Sequence, residues 1–242
     1  MTKNIVKTAL VLVGTGSLLT GCNFDQPEAG CFVQESPHWA VKYELVEAAK
    51  DANGAPCEAV APTAEMVGVY KYVNPETGAS RLALRPQGLA SRGTADNSTD
   101  QSEQTALGDL ATERDGDDFC AASNFPAARV NIAVENGTDS IVYEYSNVRV
   151  YSAPSAPGTQ LTGELRYTKR VGAVECTSTY VMSAIWPAVG CDPESDSPAD
   201  NCGEGSGLNP DFAATCITTA DCAIYGGETN CCVPSKPIPS FK

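Results

Sequence analysis

Residues 130–150, VNIAVENGTDSIVYEYSNVRV, have the pattern from which we predict the fold class of this chain. Apolar residues alternate with other residues at 130, 132 and 134, Asn136-Gly137 follows, and the alternation resumes at 141, 143 and 145. Period-two alternation is typical of a half-buried β-strand, and Asn-Gly between two such runs is the strongest short hairpin signal. Val148 and Val150 stand in the opposite phase, so we predict a bulge or strand break near Ser146-Asn147.

The same alternation recurs on both sides of this hairpin. The first of these runs covers residues 38–47. We expect one of its faces to carry Trp39, Val41, Tyr43 and Leu45. Further runs cover residues 67–73, 80–85, 161–167 and 174–186, with turn residues at 74–78 and 153–158. No long helical period competes with them. We predict an all-β fold, an antiparallel β-sandwich of about seven or eight strands, with a closed barrel as the alternative.

Two regions lack this pattern. Residues 91–118 are polar and acidic, and we expect a long loop there with a helical turn around Ala106–Ala111. Residues 191–242 are rich in Cys, Gly, Pro and Asp, which indicates a disulfide-rich irregular tail that ends in an extended, mobile segment. The predicted organisation is a signal peptide over 1–21, a lipidated tether over 22–30, the sandwich over 31–190 and the tail over 191–242.

The N-terminus carries an export signal. Lys3 and Lys7 precede an uncharged, apolar or small stretch over residues 8–19, which is of secretory length and too short to span a bilayer. Leu19-Thr20-Gly21-Cys22 follows. This arrangement resembles the lipobox of bacterial lipoproteins that signal peptidase II cleaves.

The lipobox resemblance implies a membrane anchor. Cys22 would become the first residue of the mature chain and carry a diacylglyceryl group and a further acyl chain such as palmitate. Two or more chains hold a protein stably on a membrane. Asn23 stands where an Asp would retain the protein at the inner membrane. We therefore expect a protein of the cell envelope, at the outer membrane.

The charge of the chain excludes some partners. The full chain has a formal charge of −14, and removal of residues 1–21 leaves 14 basic against 30 acidic residues, a charge of −16. So acidic a protein is not expected to bind nucleic acid or to be attracted to anionic lipid by its surface charge.

Eleven cysteines are present, and ten remain when Cys22 is set aside. An even number in an exported protein predicts disulfides, here five. We expect two bridges in the body and three in the tail, and the spacing leaves the connectivity open. The candidates are Cys31, Cys57, Cys120, Cys176, Cys191, Cys202, Cys216, Cys222, Cys231 and Cys232.

Two further resemblances concern the cysteine-rich parts. The spacing Cys216-(x5)-Cys222-(x8)-Cys231-Cys232, with Asp221 before the second cysteine, resembles the middle of a whey-acidic-protein four-disulfide core. That family implies a Cys216–Cys231 pair and protease inhibition, but the second gap is longer here and the closing cysteine is missing. Residues 146–168 and 176–191 resemble cysteine-rich lipoproteins of unassigned function from predatory soil and marine bacteria, a likeness that implies a class and no activity.

Candidate chemistry is sparse. His38 is the one histidine, so a Ser-His-Asp or Cys-His site could use no other, and we assign no catalytic residue. Calcium is the one metal for which the chain has suitable ligands, and no other cofactor is predicted. One candidate segment has acids in alternation, as in the first half of an EF-hand loop, at Asp192, Glu194 and Asp196. A second acidic segment contains the candidates Asp115 and Asp117.

The predicted function is therefore a membrane-anchored envelope lipoprotein with a non-enzymatic binding or structural role, whose partner is an unidentified protein or glycan. One alternative is a hydrolase that acts on glycan or peptide through two close carboxylates. Another is a calcium-stabilised adhesive module.

Overall fold

The computed structural model describes residues 30–58, 60–96, 101–134, 137–219, 222 and 230–242. The predicted signal peptide, Cys22 and residues 23–29 lie outside the described residues, as do Asn136 and Asp221. Nine strands form the main sheet: β1 (Ser36–Lys50), β2 (Ala64–Val73), β3 (Ser80–Pro86), β4 (Ala106–Leu110), β5 (Phe119–Ser123), β6 (Ala128–Val134), β7 (Gly137–Tyr151), β8 (Gln160–Val171) and β9 (Val174–Ile185).

The main sheet closes on itself. Its strands pair in the order β5-β4-β3-β2-β1-β9-β8-β7-β6, and β5 pairs in addition with β7. The short strands β5 and β6 therefore follow one another along one edge of the long strand β7, with Cys120 opposite Val150 and Val130 opposite Ile141. The all-β antiparallel class is confirmed, and the sheet has the closed form that was the alternative to two stacked layers.

The main apolar core fills the interior of this closed sheet. On β1 the predicted alternation buries Trp39, Val41 and Tyr43. Leu45 differs from the prediction, since it is 59% exposed. The register between β1 and β9 shifts after Leu45, so the end of β1 does not continue the regular wall of the sheet. The other large buried side chains of the interior include Leu82, Leu84, Tyr143, Leu161, Leu165, Tyr180 and Met182.

The bulge predicted in β7 is present. The register between β7 and β8 shifts between Ser146 and Arg149, and Asn147 has a φ of 51°. Asn adopts this left-handed conformation more readily than most residues. The shift turns Val148 back to the interior, where it is buried like Tyr145 before it.

The acidic segment contains a strand that the sequence did not predict. Residues Ala106–Leu110 form β4, which pairs with β3, whereas a helical turn was expected there. The edge of β3 offers backbone donors and acceptors that β4 satisfies, and this pairing outweighs a weak local preference. The helices of the region are short: α1 (Gln87–Ala90) and two 3₁₀ turns at Gly93–Ala95 and Gln101–Gln104.

The tail packs against the outside of the closed sheet. Its strands β10 (Ala214–Thr218) and β11 (Asn230–Pro234) form a small antiparallel sheet. Val233 packs with Ala40 and Met66, so β1 and β2 are buried on both faces around these two residues. The last residues are docked and do not form the extended free segment that was expected: the backbone N–H of Ser240 donates to Gln160 Oε1 at 2.6 Å.

Ten cysteines form five disulfides in this structure. The pairs are Cys31–Cys120, Cys57–Cys176, Cys191–Cys216, Cys202–Cys232 and Cys222–Cys231, two in the body and three in the tail. The Cys216–Cys231 pair implied by the whey-acidic-protein resemblance is wrong. Cys216 of β10 lies opposite Cys232 of β11, and not opposite Cys231. Cys216 is bonded to Cys191, and Cys231 is bonded to Cys222.

Candidate functional site

The closed sheet has two ends with different surroundings. The proximal end is the one at which β1 begins, and the N-terminal described residues are fastened there. The N–H of Cys31 donates to Thr112 O at 3.0 Å, and the N–H of Gln34 donates to Gly158 O at 2.9 Å. The Cys31–Cys120 disulfide adds a covalent link to β5. The distal end, at which β1 ends, is therefore the one turned away from the N-terminal segment.

An apolar groove of about 460 Å³ opens at the distal end. It lies between the last residues of β1 and the segment 56–63, with the rings of Tyr43 and Tyr180 in its lining. Leu45 is 59% exposed there and Val60 is 76% exposed. Exposed apolar side chains that cluster in a concavity are typical of a binding surface. None of the described residues that line this distal groove is acidic.

A buried polar cluster lies inside the sheet. Glu65 of β2 is fully buried, in phase with Val67 and Val69. Tyr43 donates its hydroxyl to Glu65 Oε1 at 2.9 Å, and the N–H of Gly88 donates to Glu65 Oε2 at 2.9 Å. These bonds compensate part of the cost of burying a carboxylate. The sequence interpretation missed Glu65, although an acid in phase with Val67 and Val69 in an apolar strand was the signal.

The absence of a side chain at Gly88 allows this close approach. A Cβ at that position would lie 3.1 Å from Glu65 Oε2 and 3.2 Å from the Tyr143 hydroxyl. Such contacts are tighter than ordinary van der Waals packing, so a side chain at the start of α1 would displace the carboxylate or the tyrosine.

The cluster holds its tyrosines in the neutral form. Burial, followed by the negative charge of Glu65, raises the pKa of Tyr43 and of Tyr143 well above the usual value. The same two causes raise the pKa of Tyr145. Because Glu65 is fully buried, the group acts as a hydrogen-bonded core and offers no carboxylate to a dissolved substrate in this conformation.

The acidic residues predicted as calcium ligands lie in turns. Asp115 Oδ1 accepts the N–H groups of Asp117 and Phe119, at 2.9 and 2.8 Å. Asp192 Oδ1 accepts the N–H of Glu194 at 2.9 Å. Asp115 and Asp192 thus use a carboxylate oxygen to shape their own loops. Calcium binding by either segment, including Asp196, stays a prediction.

Other candidates are placed as follows. The N–H of His38 donates to Ser36 Oγ at 3.1 Å, near the start of β1. In the described part of the chain, one group of three residues has metal-ligand spacing, namely the sulfurs of Cys191, Cys202 and Cys232. All three sulfurs belong to disulfides, and a metal would need them as thiolates. Among the described residues, no helix has the length and apolar character needed to cross a bilayer.

Comparison with known proteins identifies the family. A family model named MlpA matches residues 37–187, a span that begins in β1 and ends two residues after β9. A protein of Myxococcus xanthus named "Putative lipoprotein MlpA" is 59% identical over 244 residues, with both chains covered completely. No solved structure matches the chain. The chain belongs to the MlpA family.

Proposed function

We propose that this protein is exported, lipidated on Cys22 and held in the cell envelope by that lipid, where it has a non-enzymatic binding role. Leu19-Thr20-Gly21-Cys22 resembles a lipobox, and the Myxococcus xanthus relative is named as a lipoprotein. Five disulfides support export, because such bonds persist in oxidising compartments and are rare in the cytosol.

The opposed ends of the sheet carry the binding proposal. Cys31 lies at the proximal end and follows Cys22 by nine residues, which span about 30 Å at most. The distal groove begins near Leu45, about 30 Å further along β1 from Ser36. A lipid on Cys22 would thus keep the proximal end beside the membrane and leave the distal groove open to a partner.

Metabolic labelling tests the anchor. We expect the wild-type chain to incorporate radiolabelled palmitate and to sediment with membranes, and the Cys22→Ser chain to do neither. Efficient labelling of the Cys22→Ser chain, or a soluble and unlabelled wild type, would contradict lipidation of Cys22.

Protease shaving of intact cells tests the membrane side. Asn23, in place of an Asp, favours the outer membrane. If the protein lies on the outer face of that membrane, protease should remove residues 31–242 while a periplasmic control protein survives. Protection until the outer membrane is opened would instead place the body in the periplasm. Sedimentation with inner-membrane markers would contradict the outer-membrane assignment.

Site-specific photo-crosslinking tests the binding role. A photoreactive residue at Val60 lies in the distal groove, whereas one at Val73, which is 54% exposed, lies at the proximal end of β2 and is the matched control. We expect a discrete, saturable adduct from position 60 in growing cells and none from position 73. Equal labelling from both positions would argue against binding at the distal groove.

A further inference from the structure

A second concavity opens at the distal end, beside β6, β7 and β8. Val130 lies opposite Ile141, and Ile141 lies opposite Lys169. Directly opposed residues of antiparallel strands project from the same face of the sheet. Val130 and Ile141 are buried in the interior core, so Lys169 also projects into the mouth of the closed sheet. This concavity, called the mouth pocket, has a volume of about 220 Å³.

The lining of the mouth pocket is apolar with a cationic rim. Val130, Ile132 and Ile141 line it, and Arg92 reaches it from the segment after α1. The Arg92 guanidinium donates to Gly88 O at 3.3 Å. Among the described residues, no ion pair joins Arg92 or Lys169 to a carboxylate.

One acid shares the lining. Asp139 Oδ1 accepts the N–H of Gly172 at 3.1 Å, so this oxygen is engaged in the β8–β9 turn. Arg170, which also borders the pocket, pairs with Glu175 at 2.6 Å. Arg170 and Glu175 cancel, and the remaining charges of the lining are the two cations Arg92 and Lys169 and the acid Asp139. The pocket therefore has a local excess of one positive charge, whereas the full chain has a net charge of −14. Two cations at an apolar pocket of so acidic a protein form a site complementary to an anion.

We propose that the mouth pocket binds a short aliphatic carboxylate. The hydrocarbon would lie against Val130, Ile132 and Ile141, and the carboxylate would accept hydrogen bonds from Arg92 and Lys169 at the rim. A volume of about 220 Å³ holds roughly seven groups of the size of a water molecule, which fits a chain of six to eight carbons. This inference rests on the proposed binding role and names the chemical class of one ligand.

Calorimetric titration with sodium octanoate tests the proposal, and 1-octanol serves as the uncharged ligand of equal chain length. The exported chain with Cys22→Ser can be studied without detergent, and every described residue stays unchanged in it. We expect octanoate to bind about tenfold more tightly than octanol, since only the carboxylate can form ion pairs with the two cations.

Lys169→Met removes the cation and keeps a long side chain, and Lys42→Met, on the outer face of β1, is the matched control. We expect Lys169→Met to raise the Kd of octanoate about tenfold and to leave that of octanol unchanged, while Lys42→Met alters neither. Unchanged thermal unfolding of both variants would establish that they are folded. Equal affinity for octanoate and octanol, equal effects of the two variants, or no heat of binding at millimolar octanoate would each overturn the proposal. Because the Cys22→Ser chain is used, these outcomes are independent of whether Cys22 is lipidated.

Discussion

Glu65 shows how one buried residue organises the interior of this protein. Its carboxylate accepts hydrogen bonds from the Tyr43 hydroxyl and the Gly88 N–H, and so joins β1, β2 and the start of α1. A buried carboxylate without hydrogen-bond partners would strongly destabilise the fold. Once such partners are present, removal of the carboxylate is itself destabilising, because its donors are left without an acceptor. The role of Glu65 is structural in the conformation described, since its side chain is not exposed to solvent.

Replacement of Glu65 should therefore destabilise the fold. Glu65→Ala would leave the buried Tyr43 hydroxyl and the partly buried Gly88 N–H without an acceptor, at about 3 kcal/mol in total. Glu65→Gln should cost less, because its amide oxygen still accepts one bond. Denaturant unfolding of the oxidised chain measures both changes, with Glu47→Ala on the exposed part of β1 as the control. A loss no larger for Glu65→Ala than for Glu47→Ala would contradict this role.

The tyrosines around Glu65 predict an alkaline limit to stability. Their pKa is raised in the folded state by burial and by the charge of Glu65, while tyrosine in the unfolded chain ionises near pH 10. The unfolded state therefore releases protons first, and the stabilisation present below about pH 10 is lost as the pH rises above it. Each tyrosine contributes a slope of about 1.4 kcal/mol per pH unit in that range.

Denaturant unfolding between pH 8 and pH 11.5 measures this slope. Tyr145→Phe removes one of the three ionisable hydroxyls and should reduce the slope by about one third. A free energy of unfolding that stays constant up to pH 11.5 would show that these tyrosines do not limit the fold.

At the scale of the element, the bulge in β7 lets one strand serve two neighbours. Before the bulge β7 pairs with β6, and after it β7 pairs with β5. Gly163 of β8 faces this region, where a Cβ would lie 3.0 Å from both Met182 Cε and Val148 Cγ2. The absent side chain leaves room for Val148 in the interior, so the bulge and the glycine are complementary.

Asn147 is the residue on which this bulge depends. Asn147→Val places a β-branched side chain at a φ of 51° and should cost about 1–2 kcal/mol. Asn147→Gly keeps the conformation accessible and should change stability by only a few tenths of a kcal/mol. Thermal unfolding compares the two variants. Equal losses for Val and Gly would mean that the Asn147 side chain matters and its backbone conformation does not.

At the scale of the whole molecule, closure depends on contacts between distant parts of the chain. β1 and β9 pair along their lengths, with Tyr43 opposite Met182. The Cys31–Cys120 disulfide joins residues 89 apart in sequence, whereas Cys222–Cys231 joins residues 9 apart. A cross-link restricts the unfolded chain more when its loop is longer.

Removal of the two disulfides should thus have unequal effects. The loop-closure estimate is about 4.6 kcal/mol for the 89-residue separation and about 2.6 kcal/mol for the 9-residue one. We expect Cys31→Ala with Cys120→Ala to lower the free energy of unfolding by about 2 kcal/mol more than Cys222→Ala with Cys231→Ala. Denaturant unfolding without reductant measures the difference. A larger loss for the tail pair would show that packing of the tail outweighs the loop length.

The features that depend on neighbours along the chain could be predicted from the amino-acid sequence. Alternation placed most strands and the β2–β3 turn, and the phase change after Tyr145 located the bulge, because side-chain direction follows directly from the period of a strand. Alternation did not predict β4, because this strand has only five residues and includes a glycine and an aspartate. It also gave the wrong face for Leu45, where the register between β1 and β9 shifts.

The pairing of distant strands and of cysteines depends on the three-dimensional fold and could not be predicted. Period-two alternation tells which face a side chain occupies, but it does not tell which distant strand lies beside it, so closure through β5 and β7 could not be deduced. Ten cysteines likewise permit many pairings, and chain geometry selects one. The burial of Glu65 and the convergence of Arg92 and Lys169 at the mouth pocket also depend on closure, because the interior and its mouth exist only in the closed sheet.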